Sequence, residues 1–600
     1  MKKLFAIIIA ACSLVGCEDF LNKENPYKIE SDYYFTDEQS LEIYSNGLLI
    51  SAATEMQSFV DGDKYADTQA WDGTYAYFRD NYAPTDASNW TQSSWKYLRS
   101  VNFYLDNMRK ASAPEAVLNH YEGVGRFFRA WFYYAKVRTF GAVPWYEHMI
   151  DAADKEALYK GRDNREEVCR NILADLNYAC ENCSTDAKYR VQSSYIHRYV
   201  ALALKARFCL YEGTMRKYHS VDPSTGKPWL ADEAEMYLRE CVRACEEIIN
   251  SGVYTLTDNP ANRATQYRDM FTNSKASEIY TNEFIWARTY NAELSVTHIF
   301  NSYMVNVQYG NYSFNRDFVN TYLMTDGTPF TTKYASNYNS VDFKTECTGR
   351  DLRLTQTMRH PGFTRNKNGA KVAYAPDLGF AKTGYHPIKW LSDDATMDTN
   401  TSPCDNDVPL MRYAEVLLNY AEAKAELKEM TQDVWNKTIK PLRERAGVTA
   451  IYPTEADPYM VSYFQGKVTD AAILEVRRER GIEMTMENIR FDDIIRWHQG
   501  ELFERPWRGI WIDASETELD LNYDGVKETM VTADKNNTSK MTILYIDGAS
   551  DIGHKLSEGT KGNIMTATKM ERKWRDYKYV RPIPTTAIQE NPNLQQNPGW

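Results

Sequence analysis

Two stretches of this 600-residue chain constrain its fold class more than any other feature. Ala201-Leu-Ala-Leu-Lys-Ala206-Arg-Phe-Cys-Leu-Tyr211 and Tyr413-Ala414-Glu-Val-Leu-Leu-Asn-Tyr420-Ala421 interleave small residues with Leu and Tyr at helical spacing. Small side chains let neighbouring helices approach closely, as in tetratricopeptide-type helix pairs, although no fixed repeat length runs through the chain. Apolar periodicity predicts further helices over 36–56, from Ser93 onward, and over 123–140, 164–181, 194–213, 232–251, 408–428, 431–446 and 468–497. Thr36-Asp37-Glu38 opens the first, and Gly141 with Pro144 beyond it closes the one at 123–140. Residues 57–92, 255–405 and 505–575 follow neither period and are rich in Asn, Asp, Thr, Gly and Tyr. Loops of that length are uncommon in compact domains unless they have a task. The expected fold is mainly α. A tetratricopeptide-like helical scaffold (36–56, 93–251 and 408–498) carries a large irregular, loop-rich second half with little β.

The first residues set the location. Met1-Lys2-Lys3 is basic, and Leu4 to Val15 is apolar but too short for a spanning helix, which needs about 20 residues. Leu14-Val15-Gly16-Cys17 resembles a bacterial lipobox, so residues 1–16 are expected to be a lipoprotein signal peptide and 17–600 the mature chain, lipidated at Cys17. Acyl chains contribute about 0.8 kcal/mol per buried methylene, enough to hold a triacylated protein on a membrane. Loss of Lys2 and Lys3 leaves 68 Lys and Arg against 82 Asp and Glu, a mature net charge of −14. With no Lys/Arg-rich block, a nucleic-acid partner is not expected. Eight cysteines remain after Cys12 and Cys17 are set aside, and an envelope location permits disulfides, with Cys180-x-x-Cys183 the closest pair.

Catalytic signatures are missing. There is no His-Glu-x-x-His, no Gly-x-Ser-x-Gly, and no second Cys or His pair near Cys180-x-x-Cys183 at the spacing that zinc would need. Ser224-Thr-Gly226-Lys227-Pro228 lacks the upstream glycine and following hydroxyl of a phosphate loop. A glycosidase needs only two well-placed carboxylates, which 82 acids could supply, but no pair stands out. Asp520, Asn522, Asp524 and Gly525 match the start of a calcium loop, yet Val531 occupies its twelfth position. Asp524-Gly525 reads instead as a hairpin turn, and no cofactor is expected.

An ordered set of motifs then carries a resemblance. It comprises Gly125-Arg126-Phe-Phe-Arg129-Ala130-Trp, Phe140-Gly141-Ala-Val143-Pro144, Met411-Arg412-Tyr413-Ala414-Glu415-Val416 with Asn419-Tyr420-Ala421-Glu422-Ala423, Arg478-Glu479-Arg480, Arg490-Phe-Asp492-Asp493 and the terminal Gln596-Asn597-Pro598-Gly599-Trp600. Behind the lipobox, this set resembles the SusD/RagB family of Bacteroidetes outer-membrane lipoproteins over nearly the whole mature chain. Arg126, Arg129, Glu415, Glu422, Arg478, Glu479 and Arg490 sit among Leu, Ala and Tyr, where ion pairs between helices explain them better than catalysis. Pro582 and Pro584 stiffen a tail expected to pack back on the body.

The resemblance implies a non-catalytic surface lid that captures oligosaccharides and hands them to a SusC-like TonB-dependent transporter, anchored by lipid to the outer membrane and facing the exterior. A RagB-like lid for peptides or glycopeptides, or a surface glycoside hydrolase, are the alternatives. Pyranose rings want flat aromatics for their C–H faces and polar groups for their hydroxyl rims. Aromatics make up 80 of the 600 residues, and those in polar loops are the candidates. They are Trp71, Asp72, Tyr75, Tyr77, Asn89 and Trp90 in one stretch, and Tyr290 and Tyr309 in a second that also holds Tyr303 and Tyr312. Trp95 and Trp131 keep helical spacing and read as core. The acidic balance suits a lid for neutral sugars.

Overall fold

The computed structural model describes residues 34–71, 73, 75–190, 193–534, 536–546 and 554–600. The signal segment, Cys17 and Asp72 lie outside the described residues. The scaffold helices before the long excursion are α1 (Glu38–Ala52), α2 (Met56–Asp61), α3 (Gln92–Asn107), α4 (Glu115–Phe140), α5 (Arg165–Asn182), α6 (Arg198–Tyr218) and α7 (Glu233–Ser251). After it come α8 (Tyr413–Glu426), α9 (Ala471–Glu483) and α10 (Arg490–Arg496).

Side chains start several of them. Asp37 accepts from the Ser40 N–H at 2.9 Å while Ser40 Oγ accepts from the Asp37 N–H at 3.2 Å, satisfying two of the helix's orphan donors. Thr91 and Ser94 do the same for α3, and Asp470 accepts from the Ile473 N–H at 3.0 Å to open α9. The helices then stack in succession, α3 on α4, α4 on α5, α5 on α6, α6 on α7, α7 on α8 and α8 on α9. α8 takes its place beside α7 although the excursion separates them in sequence. With 44% helix, 12% strand and no closed sheet, the fold is mainly α and tetratricopeptide-like.

Where boundaries differ from the periodicity, the causes are local. α4 starts at Glu115, because Gly123 marks a close approach and not a helix start. A Cβ there would lie 2.8 Å from Cys183 Sγ on the neighbouring segment. The stretch 431–446 divides into Gln432–Lys437 and Ile439–Arg445, since the ring of Pro441 would meet the carbonyl four residues back if the helix ran on. The stretch 468–497 breaks between α9 and α10, where Met486 and Asn488 adopt φ of 61° and 60°. Residues 408–428 are not one helix. Val408–Arg412 is a buried strand, antiparallel to Phe284–Arg288 with Phe284 opposite Arg412 and Arg288 opposite Val408. This strand pair is the neck through which the excursion leaves and rejoins the scaffold.

Beyond α10, Trp507–Asp513 pairs antiparallel with Lys561–Thr566. Glu518–Leu519 pairs antiparallel with Thr529–Thr532, which Thr542–Tyr545 joins in parallel. The calcium-like run lies in the loop of that hairpin. Its oxygens cap backbone donors: Asp520 accepts from the Gly525 N–H at 2.8 Å, Asn522 from the Asp524 N–H at 3.0 Å and Asp524 from the Val526 N–H at 2.8 Å. Among the described residues no group of three or more His, Cys, Asp or Glu is placed to hold a metal, and no helix is long and apolar enough to cross a membrane. All eight described cysteines are free thiols, Cys180 and Cys183 included.

Charged residues that the sequence placed among Leu, Ala and Tyr are paired. Arg129 meets Asp175 at 2.7 Å, Glu415 meets Arg207 at 2.6 Å, Glu422 meets Arg496 at 2.5 Å and Glu479 meets Arg353 at 2.6 Å. The tail packs on the end of α4: the Arg581 N–H donates to the Thr139 carbonyl at 2.7 Å, and Asn597 Nδ2 donates to the Phe140 carbonyl at 3.1 Å.

Candidate ligand-binding site

An open cavity of about 560 Å³ lies where α2, the end of α4, α10 and the tail converge. That is within the range of small-ligand sites, about 300–1,000 Å³. Tyr65 and Tyr75 form part of its wall, stacked with ring centroids 3.9 Å apart and planes 12° apart. Tyr77 leans on Tyr75 at 6.0 Å and is itself buried, its hydroxyl donating to the Lys578 carbonyl. Burial pushes the Tyr65 phenol up to about 12, so it stays a neutral donor and acceptor.

Polar groups complete the lining. Arg138 of α4 and Asp492 of α10 form an ion pair across it, and Asn488 stands next to Gly62. A Cβ at Gly62 would fall 1.6 Å from the Asn488 side-chain oxygen, so a larger residue there would displace the Asn488 side chain. Asp61 accepts from the Tyr312 hydroxyl at 2.6 Å and from Lys64 Nζ at 3.4 Å. Behind the Arg138–Asp492 pair, a smaller polar cavity of about 170 Å³ reaches between α4, α6 and α10 and shares both residues.

The candidates from the sequence separate into three groups. Tyr75, Tyr77 and Asn89 all line the large cavity. Trp71 sits on the far side of Tyr65, edge-on at 5.3 Å with Lys64 Nζ 4.4 Å above its ring, beside a space of only about 10 Å³. Trp90 turns into the scaffold, edge-on to Trp95 at 5.2 Å and to Phe140 at 5.0 Å. Tyr290 is buried, and its hydroxyl accepts from the Met56 N–H at 3.0 Å, fastening the start of α2. Tyr309 stacks on Tyr303 at 4.6 Å, and this second aromatic stretch reaches the cavity only through Tyr312 and Asp61. Trp95 and Trp131 are half-buried and packed against the core.

Sequence reasoning missed Tyr65, Lys136, Arg138 and Arg581. Tyr65 stood inside a stretch already marked as aromatic-rich and was findable. The three cations carried no local signal, because Lys136 and Arg138 look like the polar face of a helix and Arg581 like part of a packing tail. In chemical terms the site offers an aromatic wall, hydroxyl and amide groups, and a cationic side. Its two carboxylates are both engaged, Asp492 by Arg138 and Asp61 by Tyr312 and Lys64.

Residues 282–600 match the family model described as the SusD family. The chain belongs to the SusD family. Residues 43–196 match a second model, described as starch-binding and associating with the outer membrane, which supports an outer-membrane location. The SusD-like protein P38 of Formosa agariphila is 23% identical over 543 residues, covering 85% of this chain and 93% of that protein. The SusD-like protein P2 of the same organism is 30% identical over 199 residues, and this match spans only 38% of its length. Among solved structures, a SusD-like carbohydrate binding protein from Bacteroides fragilis superposes with a TM-score of 0.68 at 19% identity, covering 94% of this chain and all of that one. At that identity the likeness establishes the fold. The two family matches together take in the second half of α1, all of α2 to α5 and everything from Phe284 to the tail, so every segment lining the cavity falls within one or the other.

Proposed function

We propose that this SusD-family chain is a non-catalytic glycan-binding lipoprotein, anchored through Cys17 on the outer face of the outer membrane. It captures oligosaccharides in the cavity beside Tyr65 and Tyr75 and delivers them to a SusC-like TonB-dependent transporter. One observation carries the reading: a stacked tyrosine pair and a set of hydroxyl, amide and guanidinium groups converge on an open cavity of about 560 Å³. Aromatic surface for ring faces and polar groups for the rim are what a saccharide requires. The starch-binding description of the N-terminal family match and the carbohydrate-binding description of the Bacteroides fragilis neighbour support it.

Affinity electrophoresis of the purified protein in gels containing a panel of polysaccharides tests the assignment. At least one should retard the protein, and Tyr75→Ala should weaken that binding by about tenfold or more. A folded protein that no glycan retards overturns the reading. Release of reducing sugar from any panel member would replace it with a hydrolase. Delivery is checked by co-purification from outer membranes, where a large β-barrel should accompany the protein.

A further inference from the structure

We propose that the glycan taken by this cavity is acidic, bearing carboxylate or sulfate groups that bind between Lys136 and Arg581. The inference rests on the cavity being the binding site, and adds the ligand's charge.

Lys136 is 8% exposed. Its ammonium lies 4.9 Å from the centre of the Trp95 ring, 5.3 Å from Phe132 and 6.0 Å from Phe140, and its one hydrogen-bond acceptor is the Asn89 carbonyl at 3.5 Å. Arg581 donates to the Tyr75 hydroxyl, and its guanidinium lies 5.1 Å from the centre of the Tyr77 ring. Among the described residues, neither cation has a carboxylate within ion-pair distance. Elsewhere in this chain, buried cations are met at close range, either by carboxylates (Arg129 by Asp175, Arg165 by Glu212, Lys389 by Glu487 and Arg412 by Glu483, all within 2.7 Å) or, as at Arg350 and Arg359, by backbone carbonyls at 2.7–2.9 Å, whereas the single carbonyl contact of Lys136 is at 3.5 Å.

An ammonium held among aromatic faces with no counter-ion costs free energy that an arriving anion recovers. Burial alone pulls the Lys136 ammonium down to about 8, with no carboxylate opposing it. The other charges at the cavity do not fill the role. Arg138 and Asp492 neutralise each other, Asp61 is held by Tyr312 and Lys64, and the Lys578 ammonium donates to the Arg79 and Lys573 carbonyls, both at 2.8 Å. The chain's net negative charge is no obstacle, because screening confines charge interactions to about 8 Å at physiological salt. It does mean that acidic polymers have no general attraction to this surface, so their binding would report a local site.

The test is isothermal titration of the purified full chain with polygalacturonate (carboxylate only), κ-carrageenan (sulfate only), neutral amylopectin and galactomannan, and poly-glutamate. Lys136→Met, Arg581→Gln and Tyr75→Ala are measured alongside, with thermal melts showing that each is folded. Binding of polygalacturonate or κ-carrageenan, weakened about tenfold or more by Arg581→Gln and again by Lys136→Met, is the expected result, and which polymer binds identifies the anion. If only Arg581→Gln folds, its effect alone decides. Binding confined to neutral glycans and lost in Tyr75→Ala overturns the acidic ligand while leaving the proposed function intact. Acidic-glycan binding indifferent to both charge variants also overturns it. Binding of poly-glutamate alone, or of nothing, defeats both readings.

Discussion

Glu483 shows what the arginine-rich helices are built around. It is fully buried, and its carboxylate meets Arg412 at 2.6 Å, Arg445 at 2.5 Å and Arg353 at 2.7 Å. Burial works to raise its pKa, but Arg445, Arg412 and Arg353 outweigh that and hold the carboxyl well below the usual carboxylate range. Those arginines are shared onward, Arg445 and Arg412 with Glu283 and Arg353 with Glu479 and Asp351. Such a network is a poor source of net stability compared with apolar packing, yet removing one member strands the others. Glu483→Gln should therefore destabilise the protein by about 3–5 kcal/mol, read as a lowered denaturant midpoint at unchanged slope. A variant within about 0.5 kcal/mol of the parent would show that water or relaxation compensates the three guanidiniums.

At the scale of elements, the cavity depends on how the segment after α2 is fastened. Asp63 is buried and accepts three backbone N–H groups from the turn between α9 and α10: Glu487 at 3.0 Å, Asn488 at 3.0 Å and Arg490 at 2.8 Å. Next to it Asp67 holds Arg490 at 2.8 Å, so Tyr65 is clamped on both sides to the start of α10. Asp63→Ala leaves three donors without an acceptor, and the two fully buried ones, Glu487 and Arg490, are each worth about 1–3 kcal/mol. It should both lower the melting temperature and weaken glycan binding, whereas Tyr75→Ala should affect binding far more than melting. Equal effects of the two variants on binding and melting would argue against this division. The same comparison shows what the sequence could disclose. Helices α3 to α9 are legible because an apolar stripe repeats every three or four residues, and Asp37, Gly141 and Asp470 mark ends by local chemistry. The role of Asp63 is not legible, since its partners lie far along the chain and a lone Asp before Lys64-Tyr65 looks solvated. Trp71 and Trp90 stood out as large aromatics in polar loops, but whether such a ring faces a ligand or its own scaffold depends on neighbours such as Phe140 that no local pattern reveals.

For the molecule as a whole, the histidines set the acid limit. Eight of the nine, His120, His197, His219, His298, His360, His386, His498 and His554, have pKa values lowered by burial, His120, His298 and His554 to about 4 and His197 and His219 to about 3. The unfolded chain protonates its histidines near 6.5, so below that pH it binds protons that the folded chain refuses. Each buried histidine then subtracts about 1.4 kcal/mol per pH unit until its folded value is reached. Asp63, raised to about 7 by burial, acts in the opposite sense, because the folded state gains a proton first as pH falls through 7. The paired acids Glu212 and Glu422, lowered to about 2 by their arginines against the effect of burial, lose their contribution only below about 4.5. The histidines outnumber the opposing groups, so the melting temperature should fall steadily from pH 6.5 to 4.5 and steepen below. Calorimetric melts across that range that stay level would contradict this balance.

The strand pair at the neck of the excursion bears on how much change the protein tolerates. Phe284–Arg288 and Val408–Arg412 hold the two ends of the excursion side by side, with Arg412 locked in turn to Glu483 and Glu487. The cavity is lined by α2, the loop after it, α4, α10 and the tail, all outside that neck. Length added to an exposed loop between the two strands leaves their pairing in place, and a longer loop raises its closure cost only slowly. Growth is therefore expected in the exposed loops of the excursion, between the points where Tyr290, Tyr312 and Arg353 fasten it to Met56, Asp61 and α9.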